Sequence, residues 1–187
     1  MKGKSRYFPF LCTMLLCICV SSASSRPWKP TPKELAVDYS TINHNRGPDA
    51  RGDADIIIIM WLVPQRFPEG NPIRQTFEKY VVIGTVHAHI TGSTGAVTFE
   101  KTDTLQPKDG SGNLLKQMTE DGVPPTLSGA MATMDGILRQ SLGAFGKGVT
   151  WFIFDAGTVR TCGKGMLIVP YADEDYTYEM PFPGCPQ

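Results

Sequence analysis

The chain has 187 residues, 41% hydrophobic and 19% charged, a composition that can bury a core and speaks against intrinsic disorder. Lys plus Arg and Asp plus Glu both number 18, but Lys2, Lys4 and Arg6 are the only charges among the first 23 residues. The remaining 164 therefore carry 15 basic against 18 acidic side chains, an imbalance that excludes generic clasping of phosphate backbones, so no nucleic-acid partner is expected.

Residues 1–7 (MKGKSRY) are basic, residues 8–20 (FPFLCTMLLCICV) are apolar, and Ser21 and Ala23 place small side chains at the −3 and −1 positions of a cleavage site. That is the layout of a secretory signal peptide, residues 1–23. The apolar run is shorter than the roughly 20 residues a spanning helix needs, so no stable membrane insertion is expected after cleavage. Removing Cys12, Cys17 and Cys19 leaves Cys162 and Cys185, and two cysteines in an oxidising compartment are expected to form a disulfide. Localisation is expected to be secreted or periplasmic, with residues 24–187 forming one globular domain.

In chain order, residues 24–31 (SSRPWKPT) read as an extended leader. Thr31-Pro32-Lys33-Glu34 matches a capping box with Pro at the first helical position, and Leu35, Tyr39 and Ile42 follow at helical spacing, so a short N-terminal helix is expected. A polar loop over 43–55 precedes residues 56–63 (IIIIMWLV), a continuous apolar run that reads as a central strand buried on both faces. A long strand lies within 78–91, with Val82, Gly84, Val86, Ala88 and Ile90 on one face and Ile83, Thr85, His87, His89 and Thr91 on the other. Gly92-Ser93-Thr94-Gly95 turns into a strand at 96–100. Residues 105–125 are rich in Gly, Pro and polar residues, with a short helix expected near 114–119. Leu127, Met131, Met134, Leu138 and Leu142 then form one stripe of a helix over 126–142, started by Thr126 and ended by Gly143. Gly129 and Gly136 weaken that helix unless another element packs against them. Strands at 149–154, 166–170 and 176–180 complete the chain, the last two joined through 171–175 (YADED). Strands, one main helix, then strands predict an α+β domain with a mostly antiparallel sheet of about six strands.

The chemistry-bearing residues are few. His87 and His89, two apart on a strand, project from one face and can share a metal ion, with a third ligand from His44, Asp53 or Asp55. Neutral imidazoles suit zinc or another divalent transition metal, and catalysis would add an acid or base such as Glu78 or Glu100. Asp109, Ser111, Asn113 and Glu120 hold positions 1, 3, 5 and 12 of a calcium loop, but Leu114 stands where that loop needs glycine. The segment 143–148 (GAFGKG) lacks the spacing of a phosphate loop, and no nucleophile elbow is present. Arg51-Gly52-Asp53 reads as a charged surface turn, and Asp173, Glu174 and Asp175 as a solvated tip that discourages edge pairing.

These features predict an exported soluble module without catalysis of its own that binds a protein or small-molecule partner. A divalent-metal-dependent hydrolase on His87 and His89 is the first alternative. The second is a cyclase- or isomerase-like barrel with an enclosed apolar pocket lined by Trp61 or Trp151.

Overall fold

A computed structural model describes residues 25–27, 37–44, 52–182 and 185. The elements are β1 (Ser25–Pro27), β2 (Val37–His44), β3 (Ala54–Trp61), α1 (Pro72–Phe77), β4 (Tyr80–Thr91), β5 (Ala96–Phe99), β6 (Lys108–Asp109), α2 (Pro125–Ser141), β7 (Thr150–Asp155), β8 (Gly165–Tyr171) and β9 (Glu174–Met180). They form an α+β domain of two sheets. One runs β1-β9-β8-β6, and the other runs β2-β3-β4-β5, with β7 also paired to β4. All pairings are antiparallel except the short parallel one between β1 and β9.

β4 organises the larger sheet. Its length lets one edge pair with β3 along eight residues while the other edge takes β7 at Tyr80–Thr85 and β5 at Ala88–Thr91. Strand alternation then separates two interiors. Ile57, Ile59, Trp61, Ile83, Phe152 and Phe154 point at the second sheet, where they meet Leu167, Val169, Tyr176, Tyr178 and Met180. Ile56, Ile58, Met60, Val82, Val86 and Ala88 point the other way, beneath α2 and the segment that follows it. β3 is thus buried on both faces, as its unbroken apolar run requires, and each such Ile contributes about 1.5–3 kcal/mol by leaving water. The molecule is a three-layer stack of helix, sheet and sheet. Among the described residues the two sheets are separate hydrogen-bonded layers.

Where the expected N-terminal helix would lie, Val37–His44 is a strand paired along all eight residues of β3. The reason is tertiary: an apolar strand with a bare edge leaves a row of backbone groups unpaired, and satisfying them outweighs the helical spacing of Tyr39 and Ile42. Thr31 and Leu35 fall outside the described residues. α1 has no counterpart in the sequence reading. It starts at Asn71, whose side chain accepts from the Ile73 amide at 2.9 Å, with Pro72 at the first helical position. Residues 114–119 are not helical; a single 3-10 turn stands at Glu120–Gly122 instead.

α2 begins one residue before its expected start, without a side-chain cap, and Thr126 lies inside its first turn. Gly143 follows its C-terminus at φ +58°, the left-handed position that glycine fills at least cost. Gly129 and Gly136 face open space, so no element offsets their cost. The segment 143–148 is a 3-10 turn whose carbonyls are gathered by Arg139: Nη1 donates to Gly146 O at 2.8 Å and Nη2 to Val149 O at 3.0 Å. Arg139 Nε donates to Asp135 at 2.7 Å, and Asp135 also accepts from Trp151 Nε1 at 2.6 Å, which ties α2 to β7. Burial works against the ionised Asp135 carboxylate, but the donors from Arg139 and Trp151 outweigh it and hold its pKa below the usual value.

Cys162 and Cys185 form a disulfide with a Cα–Cα distance of 5.2 Å, fastening the chain end to the loop after β7. No helix among the described residues is long and apolar enough to cross a membrane.

Candidate functional site

The histidine pair lies at one end of the space between the sheets. In the β3–β4 register His89 stands opposite Asp55 and His87 opposite Ile57, so both imidazoles project from the face that meets the second sheet. This is the face whose polarity rises along β4, where the apolar interior gives way to a rim. Each imidazole has its own carboxylate. His87 Nδ1 lies 3.0 Å from Glu100 Oε2, and His89 Nδ1 lies 3.0 Å from Asp55 Oδ1. An ionised carboxylate only accepts, so in each pair Nδ1–H is the donor. His89 Nε2 faces Asp53 Oδ2 at 4.0 Å, while Asp53 Oδ1 accepts from the Gly92 amide at 2.7 Å and so clasps the β4–β5 turn.

His87 forms the floor of a cleft of about 550 Å³ walled by the segment after β5 and by the β8–β9 turn. Glu100, Lys101, Thr102 and Asp103 line one side, and Tyr171 and Asp173 the other. The Thr102 and Tyr171 hydroxyls are 2.7 Å apart and join the segment after β5 to the end of β8 across the cleft. The Tyr171 ring stands edge-on to His87 with centroids 6.3 Å apart. Lys101 and Asp103 form an exposed ion pair at 3.3 Å, an arrangement worth little to stability. The β8–β9 turn consists of Ala172 at φ +47° and Asp173 at φ +62°. A two-residue hairpin turn of this kind wants glycine or asparagine, so an alanine there is strained, and it is strained at the lip of the cleft.

Of the residues singled out from sequence, His87, His89, Asp53 and Asp55 come together, and Glu100 joins them. Glu78 lies at the other end of β4, 3.6 Å from Arg74. His44 pairs in register with Ala54, in the row of Ile90, one step from the row of Asn43, Asp55 and His89. Among the described residues no three His, Cys, Asp or Glu side chains converge as a metal-holding group. Thr102, Asp103 and Tyr171 were not legible as site residues, since they reach the cleft through packing of one sheet on the other. Asp175, expected to keep a sheet edge free, pairs with Ser25 of β1.

The calcium-like sequence is a closed turn. Asp109 Oδ1 accepts from the amides of Ser111 and Asn113, both at 2.9 Å, and Oδ2 accepts from Asn113 Nδ2 at 3.1 Å and Thr158 Oγ1 at 2.9 Å. The Asn113 side chain and amide, followed by Thr158, lower the Asp109 pKa from 3.8 to about 2. The carboxylate is satisfied by protein donors, and Glu120 belongs to a separate turn.

No family model, no curated protein and no solved structure matches this chain.

Proposed function

We propose that the protein is an exported, non-catalytic binding module that takes a small, polar, positively charged molecule into the cleft above His87. The observation that carries this reading is the rim itself. Glu100, Asp103 and Asp173 carry three carboxylates round an opening whose one ammonium is Lys101. Such a rim raises the local concentration of cations and orients them by charge-assisted hydrogen bonds. The Thr102 and Tyr171 hydroxyls and the His87 ring add donors, acceptors and an aromatic edge, suited to an organic amine more than to a bare ion. The volume fits a ligand of drug-like size. The strained turn at residues 172–173 is the kind of backbone cost that recurs where a loop is held for a ligand. Export is supported by the leader-like residues 1–23 and by the Cys162–Cys185 bridge.

The test is titration calorimetry with spermidine against 1,8-octanediol as an uncharged chain of similar length. Spermidine should bind and octanediol should not. The Asp103→Asn/Asp173→Asn double variant should weaken spermidine by up to about tenfold, since each exposed charge contributes about 0.2–1 kcal/mol. Equal affinity for amine and diol would overturn the reading.

A further inference from the structure

The two ends of the Cys162–Cys185 bridge differ in exposure. Cys162 stands at an exposed position in the turn between β7 and β8. Cys185 is partly buried and packs against the core between the sheets. The rate of thiol–disulfide exchange depends on which sulfur is within reach, and exposed bridges are the labile ones. Access therefore selects Cys162 as the sulfur an incoming thiolate meets.

A hydrogen-bond donor already stands beside both sulfurs. Gln65 Nε2 lies 3.0 Å from Cys162 Sγ and 3.7 Å from Cys185 Sγ, and it donates to Thr161 Oγ1 at 2.7 Å. Disulfide sulfurs carry lone pairs and no hydrogen, so the NH2 end of the amide faces them and the oxygen does not. During exchange the charge of the attacking thiolate spreads over three sulfurs. A fixed donor beside two of them stabilises that charge more than it stabilises the neutral bridge. Thr161 O lies 3.4 Å from Cys185 Sγ, so a thiol released there has an acceptor for its proton.

The turn is also basic. Between Asp155 and Asp173 the only charged side chains are Arg160 and Lys164, one on each side of Cys162 and both exposed. Arg160 is held against the turn, Nη1 donating to Gly157 O and Val159 O, both at 2.8 Å. Glu78 lines a cavity together with Arg160 and Cys162, but it pairs with Arg74 at 3.6 Å. Two cations flanking the reactive sulfur favour an anionic thiol over a cationic one.

We propose that Cys162 is a modification site that takes up an anionic low-molecular-weight thiol, of the glutathione type, by exchange with the bridge. The incoming thiolate forms a bond to Cys162 Sγ and the bond between the two cysteines breaks. Its electron pair leaves on Cys185 Sγ, which takes a proton from water. The products are a mixed disulfide on Cys162 and a thiol on Cys185. One disulfide is exchanged for another, so no further oxidant or reductant enters.

The experiment treats the full secreted chain, folded and bridged, with a large excess of reduced glutathione and no denaturant. N-ethylmaleimide stops the reaction, and peptide mass spectrometry locates both labels. Glutathione should be found on Cys162 and maleimide on Cys185, at a rate proportional to thiolate concentration. At equal thiolate concentration the cationic thiol cysteamine should react about threefold more slowly, and added salt should narrow that gap. Gln65→Met should slow exchange by about tenfold for the donor lost. The sign separates this role from a structural one, since a loosened turn would bare the bridge and quicken exchange. Gln65→Glu, of the same shape without the NH2 group, carries that arm if Gln65→Met does not fold. Glutathione on Cys185 or on neither cysteine, or a rate that does not rise with thiol concentration, would overturn the proposal. So would cysteamine reacting as fast as glutathione, or exchange undiminished when Gln65 is replaced.

Discussion

Opening the Cys162–Cys185 bridge should cost far more than a typical surface substitution, and the loss can be worked from the chain. The cysteines are 23 residues apart. In the loop-entropy description, a closed loop of about that length removes about 11.5 cal/mol/K from the unfolded ensemble, or about 3.4 kcal/mol at 25 °C. For a domain of this size that corresponds to a fall in Tm of about 7–14 °C. The bridge also holds a packing contact. Phe182 N donates to Thr161 O at 2.9 Å, and the Phe182 ring is buried against Trp61. If the tail frays once released, burial of that ring is lost too, adding about 1.5–3 kcal/mol. Thermal unfolding of Cys162→Ser/Cys185→Ser, followed by far-ultraviolet circular dichroism and tryptophan fluorescence, separates the two terms. A Tm drop with native fluorescence reports the entropic term alone. A red-shifted emission before the main transition reports a released Phe182. A drop below about 2 °C would refute the view that the bridge constrains the unfolded chain.

Three other substitutions or conditions follow from the same geometry. Gly84 faces Trp151 in the β4–β7 register, and an added Cβ would lie 2.5 Å from Trp151 Cζ3. Gly84→Ala should therefore cost about 1–3 kcal/mol in chemical denaturation and displace the indole from Asp135; an unchanged midpoint would contradict that packing. Ala172→Gly should stabilise by about 0.5–1 kcal/mol by relieving a left-handed alanine, and a loss of stability would show that the turn is not strained. Asp109 has a folded pKa near 2 against an ordinary 3.8, so the folded state takes its proton less readily than the unfolded chain. The stability this supplies is present above about pH 4 and is lost as pH falls towards 2. Asp109→Asn should flatten that acid limb in pH-dependent denaturation, and a limb of unchanged steepness would remove Asp109 as its source.

What the sequence disclosed follows the range of the interactions. The two-faced burial of β3, the faces of β4 and the apolar stripe of α2 were readable because each is a local periodicity. β2 was misread because its pairing depends on the edge of β3, whose partner residues stand 10 to 24 positions further along the chain. α1 was missed because Gly70-Asn71-Pro72 signals a turn as strongly as a helix start. The partner of His87 was within reach: once residues 92–95 form the turn and Thr91 pairs with Ala96, counting back along the hairpin brings residue 100 opposite residue 87. Asp55 opposite His89 required the register between β3 and β4 across an intervening loop and α1. Tyr171 and Asp173 required the packing of one sheet over another, which leaves no repeat in the chain.

The most direct measurement of the cleft as a ligand site is a nitrogen-15 map of the protein with increasing spermidine. The ring signals of His87 and the amides of residues 100–104 and 171–173 should move together along one saturable curve, while the Trp61 indole N–H stays in place. Shifts scattered over the acidic surface without saturation, or an unmoved His87 ring, would contradict the account.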